Sequence, residues 1–235
     1  MENFKLEPLS ENFSIFVSKE HSFGTDAFLL SHFASPKKSD FACDLGTGCG
    51  IIPLLWFKNA TFPKNVVAVD IQEKAIAVLS ETLKKTDIAI TPLLCDLKKL
   101  PSDYNGAFSL VTCNPPYYKS GAGVISREVS DKIARHETEC DFSDIVKVAA
   151  RLLKFGGRFA VCFKPERLCD LITLMRENGV EPKRVQFVQK DENSAPWLVL
   201  VEGKKGAKPF LEVLPPIFVY KDGEYTDFMK KIYWG

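Results

Sequence analysis

What this sequence lacks narrows its functions before anything present is considered. It has only three histidines, and its seven cysteines form neither a Cys-x-x-Cys pair nor a Cys/His cluster at metal-ligand spacing, so no metal site is expected. The cysteine count is odd and several lie inside apolar segments (Cys43, Cys95, Cys113, Cys162, Cys169), which reads as reduced core thiols and not as a disulfide framework. No apolar run approaches the length of a membrane-crossing helix, and no membrane partner is expected. The opening residues, MENFKLEPLS, lack the basic start and apolar middle of a secretory signal, so the expected compartment is the cytoplasm. Excess charge is missing too. The 31 Lys+Arg and 30 Asp+Glu leave a net charge of +1, which argues against non-specific coating of nucleic acid, and DNA is not an expected partner.

The 235 residues, 46% hydrophobic, are enough for one large core. The whole chain, 1–235, reads as a single domain with an N-terminal extension over 1–40, a core over 41–202 and a tail over 203–235. From residue 41, short apolar runs alternate with stretches of helical period, the pattern of a mainly parallel α/β sheet covered on both faces. FACDL (41–45), VVAVD (66–70), TPLLC (91–95), AFSLVTC (107–113) and RFAVCF (158–163) read as strands. IIPLLWFKN, the stretch carrying Ile76, Leu79 and Leu83, residues 141–153, and the stretch carrying Leu168, Leu171, Ile172 and Met175 read as helices, with Pro53 tolerable only in a first turn. VQFVQ (185–189) and WLVLVE (197–202) predict an antiparallel hairpin at the end of the sheet. NFSIFVS (12–18) is strand-like, TDAFLLSHF (25–33) helical, and GKKGAKPF a mobile basic turn by composition.

Chemistry concentrates at strand ends. DLGTGCG (44–50) lies where the first predicted strand gives way to a helix; Gly46, Gly48 and Gly50 let backbone approach a ligand, although such a turn also arises merely to pack a helix on a sheet. Asp70 ends the next strand 20 residues after Gly50, where an acid can accept from ribose hydroxyls. The loop spacing is GxGxG and not GxGxxG, and Asp44 precedes it; an acid there disfavours a pyrophosphate and suits a ligand bearing a cation or amine. Asp96, after the third strand, can accept from an adenine amino group or stand as an ordinary strand-end carboxylate. After the fourth strand comes TCNPPYYKSG (112–121), with an amide, two prolines and two tyrosines where a turn needs only one breaker.

In this order the elements resemble a class I S-adenosylmethionine-dependent methyltransferase, and Asn114-Pro115-Pro116-Tyr117 resembles the motif with which members methylate planar nitrogens. The resemblance covers roughly residues 22 to 202. It implies a Rossmann-like, doubly wound sheet of seven mainly parallel strands closed by the C-terminal antiparallel hairpin, with S-adenosyl-L-methionine as cofactor. The implied cofactor residues are Gly24, Thr25, Asp26, Asp44, Gly46, Gly48, Gly50, Asp70, Ile71, Asp96, Leu97 and Asn114. The implied catalytic residues are Asn114, Pro115, Pro116 and Tyr117: the Asn114 and Pro115 carbonyls hold the amine's two N–H groups and the Tyr117 ring stacks on the base. No histidine is assigned to catalysis; His21 and His32 read as surface or packing residues.

HSFGTDAFLLSHFA (21–34), NPPYYKSG (114–121) and ISREVSDKIARHE (125–137) together resemble the bacterial family that methylates N6 of adenine 37 in valine tRNA. The implied partner is the anticodon loop of a tRNA and the expected state a monomer. Tyr117 and Tyr118 would meet the base, and Arg127, Arg135 and His136 the RNA phosphates. Residues 151–235 carry 15 Lys/Arg against 11 Asp/Glu, and a basic rim drawn from Arg127, Arg135, Lys183, Arg184, Lys204 and Lys205 is part of this expectation, with a solvated charged helix as the alternative for 125–137 and simple solubility the favoured reading of Lys204 and Lys205. The departure from the family is Tyr118, where phenylalanine is usual. Guanine N2, an rRNA adenine, a glutamine of a release factor, and a nucleotide- or RNA-binding module without turnover stay open as alternatives.

Overall fold

A computed structural model describes residues 4–10, 13–59, 61–115 and 142–235. Pro116, Tyr117, Tyr118, Arg127, Arg135 and His136 lie outside the described residues. The chain opens with a hairpin, β1 (Lys5–Ser10) and β2 (Phe13–Val17), and then α1 (Thr25–Ala34). An alternating series follows: β3 (Phe41–Leu45), α2 (Ile51–Lys58), β4 (Asn65–Asp70), α3 (Glu73–Lys84), β5 (Ile90–Leu94) and β6 (Phe108–Cys113). After the undescribed stretch come α4 (Phe142–Leu152), β7 (Leu153–Phe163), α5 (Leu168–Glu177), β8 (Val180–Gln189) and β9 (Pro196–Lys205).

The sheet order is β5-β4-β3-β6-β7-β9-β8, parallel from β5 through β7, with β9 antiparallel to both its neighbours. This is the Rossmann-like arrangement expected, with the predicted hairpin in place. The strand number differs. Two-residue strands β10 (Glu212–Val213) and β11 (Ile217–Phe218) add in parallel to β8, making nine strands in this sheet among the described residues where seven were expected. Segments so short carry no period, so only their partner reveals them.

Alternate residues of the inner strands feed opposite faces, as the pleat requires. Val66 and Ala68 of β4 join the layer under α1, α2 and α3, while Val67 and Val69 join the layer under α4 and α5. With both faces covered, these strands read as unbroken apolar runs. Each such buried valine contributes about 1.5–3 kcal/mol relative to exposure. Pro53 is the third residue of α2, inside the first turn, where no backbone N–H is missed. Cys169 departs from the core reading of the cysteines: it is exposed, on the outer side of α5.

The C-terminal portion is more ordered than its composition predicts. Gly203, Lys204 and Lys205, expected in a mobile turn, are the last residues of β9. Gly203 suits that position, since a Cβ would fall 2.8 Å from Val180 Cγ1 and 3.1 Å from the Glu181 carbonyl oxygen. A small hairpin, β12 (Tyr220–Lys221) and β13 (Glu224–Tyr225), leads to α6 (Asp227–Trp234), capped by Thr226, whose hydroxyl accepts from Met229 N. Ile217, Val219, Met229 and Ile232 are buried in the same layer as α1.

The basic rim is largely committed elsewhere. Arg184 makes two bonds to Glu202, Nε to Oε1 at 3.0 Å and Nη2 to Oε2 at 2.9 Å, and donates to Phe33 O. Arg158 bridges Glu202 and Asp40, so the pair of arginines pins the end of α1 to β7, β8 and β9. Lys205 Nζ donates to the carbonyls of Ala150 and Leu153, both at 2.7 Å, and Lys183 Nζ to that of Lys208. Arg184 and Lys205 are therefore structural cations, because buried carboxylates and helix-end carbonyls bind them more tightly than solvent does.

Candidate active site

The C-terminal ends of β3, β4, β5 and β6 lie side by side, so the predicted strand-end residues converge. Asp44, next to last in β3, is 1% exposed. Its carboxyl accepts from Thr112 Oγ1 at 2.6 Å and Thr47 Oγ1 at 2.7 Å, and Thr112 sits directly opposite it on β6. Burial pushes its pKa up to about 7, against the two hydroxyl bonds, which pull it down. Thr112 is a site residue the sequence reading missed; only the β3–β6 register brings it to Asp44.

The three glycines of the loop divide in role. All have positive φ, 68°, 56° and 81° for Gly46, Gly48 and Gly50. A Cβ at Gly46 or Gly48 would meet no atom within 4 Å, so the backbone there borders open space that a ligand can approach. A Cβ at Gly50 would fall 2.4 Å from Leu79 Cδ1 of α3, so that glycine serves helix packing. The surroundings of the three glycines thus differ, open over Gly46 and Gly48 and packed at Gly50.

Asp70 closes β4 and is 6% exposed. Its Oδ2 accepts from Gly48 N and its Oδ1 from Gln72 N, both at 2.9 Å, so one carboxylate fixes the glycine loop and the start of α3. A carboxylate has about four acceptor positions, and two backbone bonds are compatible with further donors such as ribose hydroxyls. Asp70→Ala is expected to weaken S-adenosylmethionine binding about tenfold or more, through the lost acceptor and the loosened loop together; calorimetry measures it, and unchanged affinity would put the ribose contact elsewhere. His21, held in a tight turn by Ser18, is buried, so the packing reading applies; burial pushes its imidazole pKa down, against the pull of nearby Asp70.

Beyond Asp70, Ile71 is 46% exposed and Leu94, at the end of β5, 50% exposed. Large apolar side chains left open beside a polar loop form a surface on which a planar ring can lie. Asp96 accepts from Lys98 N at 3.0 Å and so caps the short 3-10 turn Leu97–Lys99, with Leu97 half-buried. That bond gives Asp96 a structural role beside any contact with an adenine amine.

Asn114 follows β6 directly, half-buried, with Pro115 buried behind it. Its Nδ2 donates to Asp26 Oδ2 at 3.0 Å, and its Oδ1 accepts from Cys162 Sγ at 3.0 Å. Asp26, in the first turn of α1, also accepts from Ala27 N, and a Cβ at Gly24 would stand 2.7 Å from Asp26 Oδ1. Thr25 points the other way: its hydroxyl is 2.6 Å from Tyr233 Oη of α6, at a cleft of about 290 Å³ lined by Phe23, Phe28, Tyr225 and Trp234 among others. The Gly24-Thr25-Asp26 segment therefore reaches Asn114 at the end of β6 on one side and the C-terminal helix on the other. Cys162 and Tyr233 carry no sequence signal for this.

A family model described as the methyltransferase small domain matches residues 8–177. A protein of Parabacteroides distasonis named tRNA1(Val) (adenine(37)-N6)-methyltransferase is 28% identical over 181 residues, covering 76% of this chain and 75% of the relative. Among solved structures, a predicted O-methyltransferase of Agrobacterium tumefaciens superimposes with a TM-score of 0.69 at 19% identity, covering 89% of this chain and 95% of the other. The 16S rRNA N2 G1207 methyltransferase of T. thermophilus, in complex with AdoMet and guanosine, does so with a TM-score of 0.58 at 16% identity, covering 86% of this chain and 50% of the other. These structures share the doubly wound sheet described above. Among the described residues no group of three or more His, Cys, Asp or Glu is placed to hold a metal, and no helix is long and apolar enough to cross a membrane. With well over half its length matched by one family model, and with the glycine loop, Asp70 and the strand-end Asn114 on adjoining strands, this chain belongs to the methyltransferase small domain family.

Proposed function

We propose that the protein transfers a methyl group from S-adenosylmethionine to N6 of an adenine in tRNA, with position 37 of valine tRNA as the site. The observation that carries the reading is the end of β6: an amide anchored at 3.0 Å from Asp26 and followed by a buried proline, on the strand next to the glycine loop. The names of relatives such as the Parabacteroides protein supply the substrate.

The residues fit the cofactor. Open space over Gly46 and Gly48 admits its amino-acid end, Asp70 its ribose, and the exposed Ile71 and Leu94 side chains its adenine. Bound there, it supplies a methyl group whose bond to sulfur breaks as the bond to N6 forms, the sulfur keeping the electron pair and the amine giving its proton to solvent.

The chain's own task is to make a poor nucleophile reactive. The N6 lone pair of adenine is delocalised into the ring; the Asn114 and Pro115 carbonyls accept its two N–H groups and favour a pyramidal nitrogen with its lone pair toward the methyl group. Tyr117 and Tyr118 stack on the extruded base, an interaction of about 1–3 kcal/mol per base. Arg127, Arg135 and His136 meet the RNA backbone. No general base is needed, since the nitrogen becomes acidic only as the new bond forms; positioning does the catalytic work. The enzyme acts as a monomer in the cytoplasm.

The test is nucleoside mass spectrometry of tRNA and rRNA from cells with and without the gene, repeated on the same RNAs after treatment with the protein and S-adenosylmethionine. N6-methyladenosine lost from one tRNA in the deletion and restored by treatment supports the reading. Unchanged tRNA, with a methylated guanosine or a glutamine of a release factor responding instead, overturns the substrate and leaves the cofactor. Cofactor binding without transfer to any acceptor would leave a binding module.

A further inference from the structure

We propose that Asp26 sets which end of the Asn114 amide faces the acceptor, and thereby selects a base carrying an amine over one carrying a carbonyl at the methylated position. The inference rests on the reading of Asn114 as the group that holds the amine. It moves Asp26 from contact with the cofactor to control of the acceptor.

The two ends of an asparagine amide are nearly equal in shape and opposite in polarity, so something must choose between them. An ionised carboxylate accepts only. With Asp26 Oδ2 3.0 Å away, the amide end facing α1 has to be Nδ2, and Oδ1 is turned to the opposite side, where the Cys162 thiol donates to it weakly at 3.0 Å. The thiol takes one of the two lone pairs of that oxygen, and the other is assigned to an N–H of adenine N6, a position at which a ring carbonyl would be repelled.

Asp26 is itself held in place. Its second oxygen accepts from Ala27 N at 3.0 Å, and it lies in the first turn of α1, where the helix dipole favours a negative charge. Gly24 leaves room for it, since a Cβ there would stand 2.7 Å from Asp26 Oδ1. The G-x-D of the sequence is thus a rigid arm from α1 to the end of β6. A residue acting through Asn114 is a positioning residue, and reversing the polarity of its end should reverse the selection.

Asp26→Asn makes that reversal almost without change of shape. With its oxygen kept on Ala27 N, the new amide presents NH2 to Asn114, which must turn to offer Oδ1 there and leave Nδ2 toward the base. The experiment uses the full-length enzyme, an RNA stem-loop that the wild type methylates, and the same RNA with inosine, which carries a carbonyl at position 6, in place of the target adenosine. Asp26→Asn is expected to lower kcat about tenfold or more on adenosine RNA at saturating cofactor, and to shift the ratio of inosine-RNA to adenosine-RNA binding about tenfold toward inosine. Asp26→Ala, which lets the amide turn either way, should fall between wild type and Asp26→Asn. An Asn variant that keeps the wild-type preference ratio overturns the inference, whatever its kcat, because general loosening of the site would not invert polarity. A wild-type enzyme that methylates no adenine overturns the functional reading, and this inference with it, before any variant is made.

Discussion

Replacing Asn114 by alanine is expected to lower methyl transfer by about a hundredfold or more while leaving S-adenosylmethionine affinity near that of the wild type. The magnitude is that of losing one positioned polar contact realised chiefly in the transition state, the scale seen for single oxyanion-hole donors. The structure supports separating the two effects. The Asn114 side chain is spanned between Asp26 and Cys162, whereas the glycine loop is fixed by Asp70 and the β4 backbone, which the substitution does not touch. Single-turnover transfer on the cognate RNA, with cofactor binding by calorimetry, checks both halves. Turnover within a few-fold of wild type would remove Asn114 from the catalytic centre; wild-type transfer at saturating cofactor with weakened cofactor binding would make it a cofactor residue.

Asp44 yields the second large effect, on stability against pH. Its carboxyl ionises near 3.8 when unperturbed and is pushed up to about 7 by burial in the fold. Between those values the folded protein holds a proton that the unfolded chain has released. The stability from this group is thus full at the acid end of the window and is lost as pH rises toward the folded pKa, by up to about 4 kcal/mol. Asp44→Asn keeps the shape and removes the titration; the Thr47 and Thr112 hydroxyls can rotate to meet an amide oxygen and an amide NH2. The variant is expected to melt higher than wild type at about pH 8 and to lose the fall in melting temperature between about pH 5 and 8. Its binding of the cationic cofactor should weaken, since a nearby positive charge favours the ionised acid. Wild-type binding near pH 6.5 should release protons, visible as buffer-dependent heats in calorimetry, and Asp44→Asn should release none at this site. A flat wild-type melting profile would show that Asp44 is ionised throughout.

The sequence carried those parts of this fold and site that depend on local pattern. Unbroken apolar runs marked β3, β4, β6 and β7 because parallel strands are buried on both faces, and the strand ends located Asp44, Asp70 and Asn114 because each polar residue terminates such a run. What escaped depends on register and distance. Thr112 looks like any strand residue until β3 and β6 are aligned, and β1, with its mixed composition KLEPLS, exists because β2 lies beside it. Arg184 and Lys205 resembled an RNA-facing rim because composition reports a charge without its partner; Glu202 and the carbonyls of Ala150 and Leu153 decide their role. Gly50 shows the same limit in one loop, where three glycines with like φ have unlike surroundings, open space over Gly46 and Gly48 and Leu79 over Gly50.

The bond between Thr25 and Tyr233 joins residues 208 positions apart, and the apolar layer over α1 is completed by Met229 and Ile232. During synthesis α1 therefore emerges long before the helix that covers it. The nascent chain can pair β3, β4, β5 and β6 and form its glycine loop, yet the arm carrying Asp26 lacks its backing until residues 217–234 have cleared the ribosome. Contacts of such sequence separation form last and slowly. Truncation or stalling within the final stretch should thus leave a species that has a nearly complete sheet, exposes the apolar face of α1 to chaperones, and does not modify RNA.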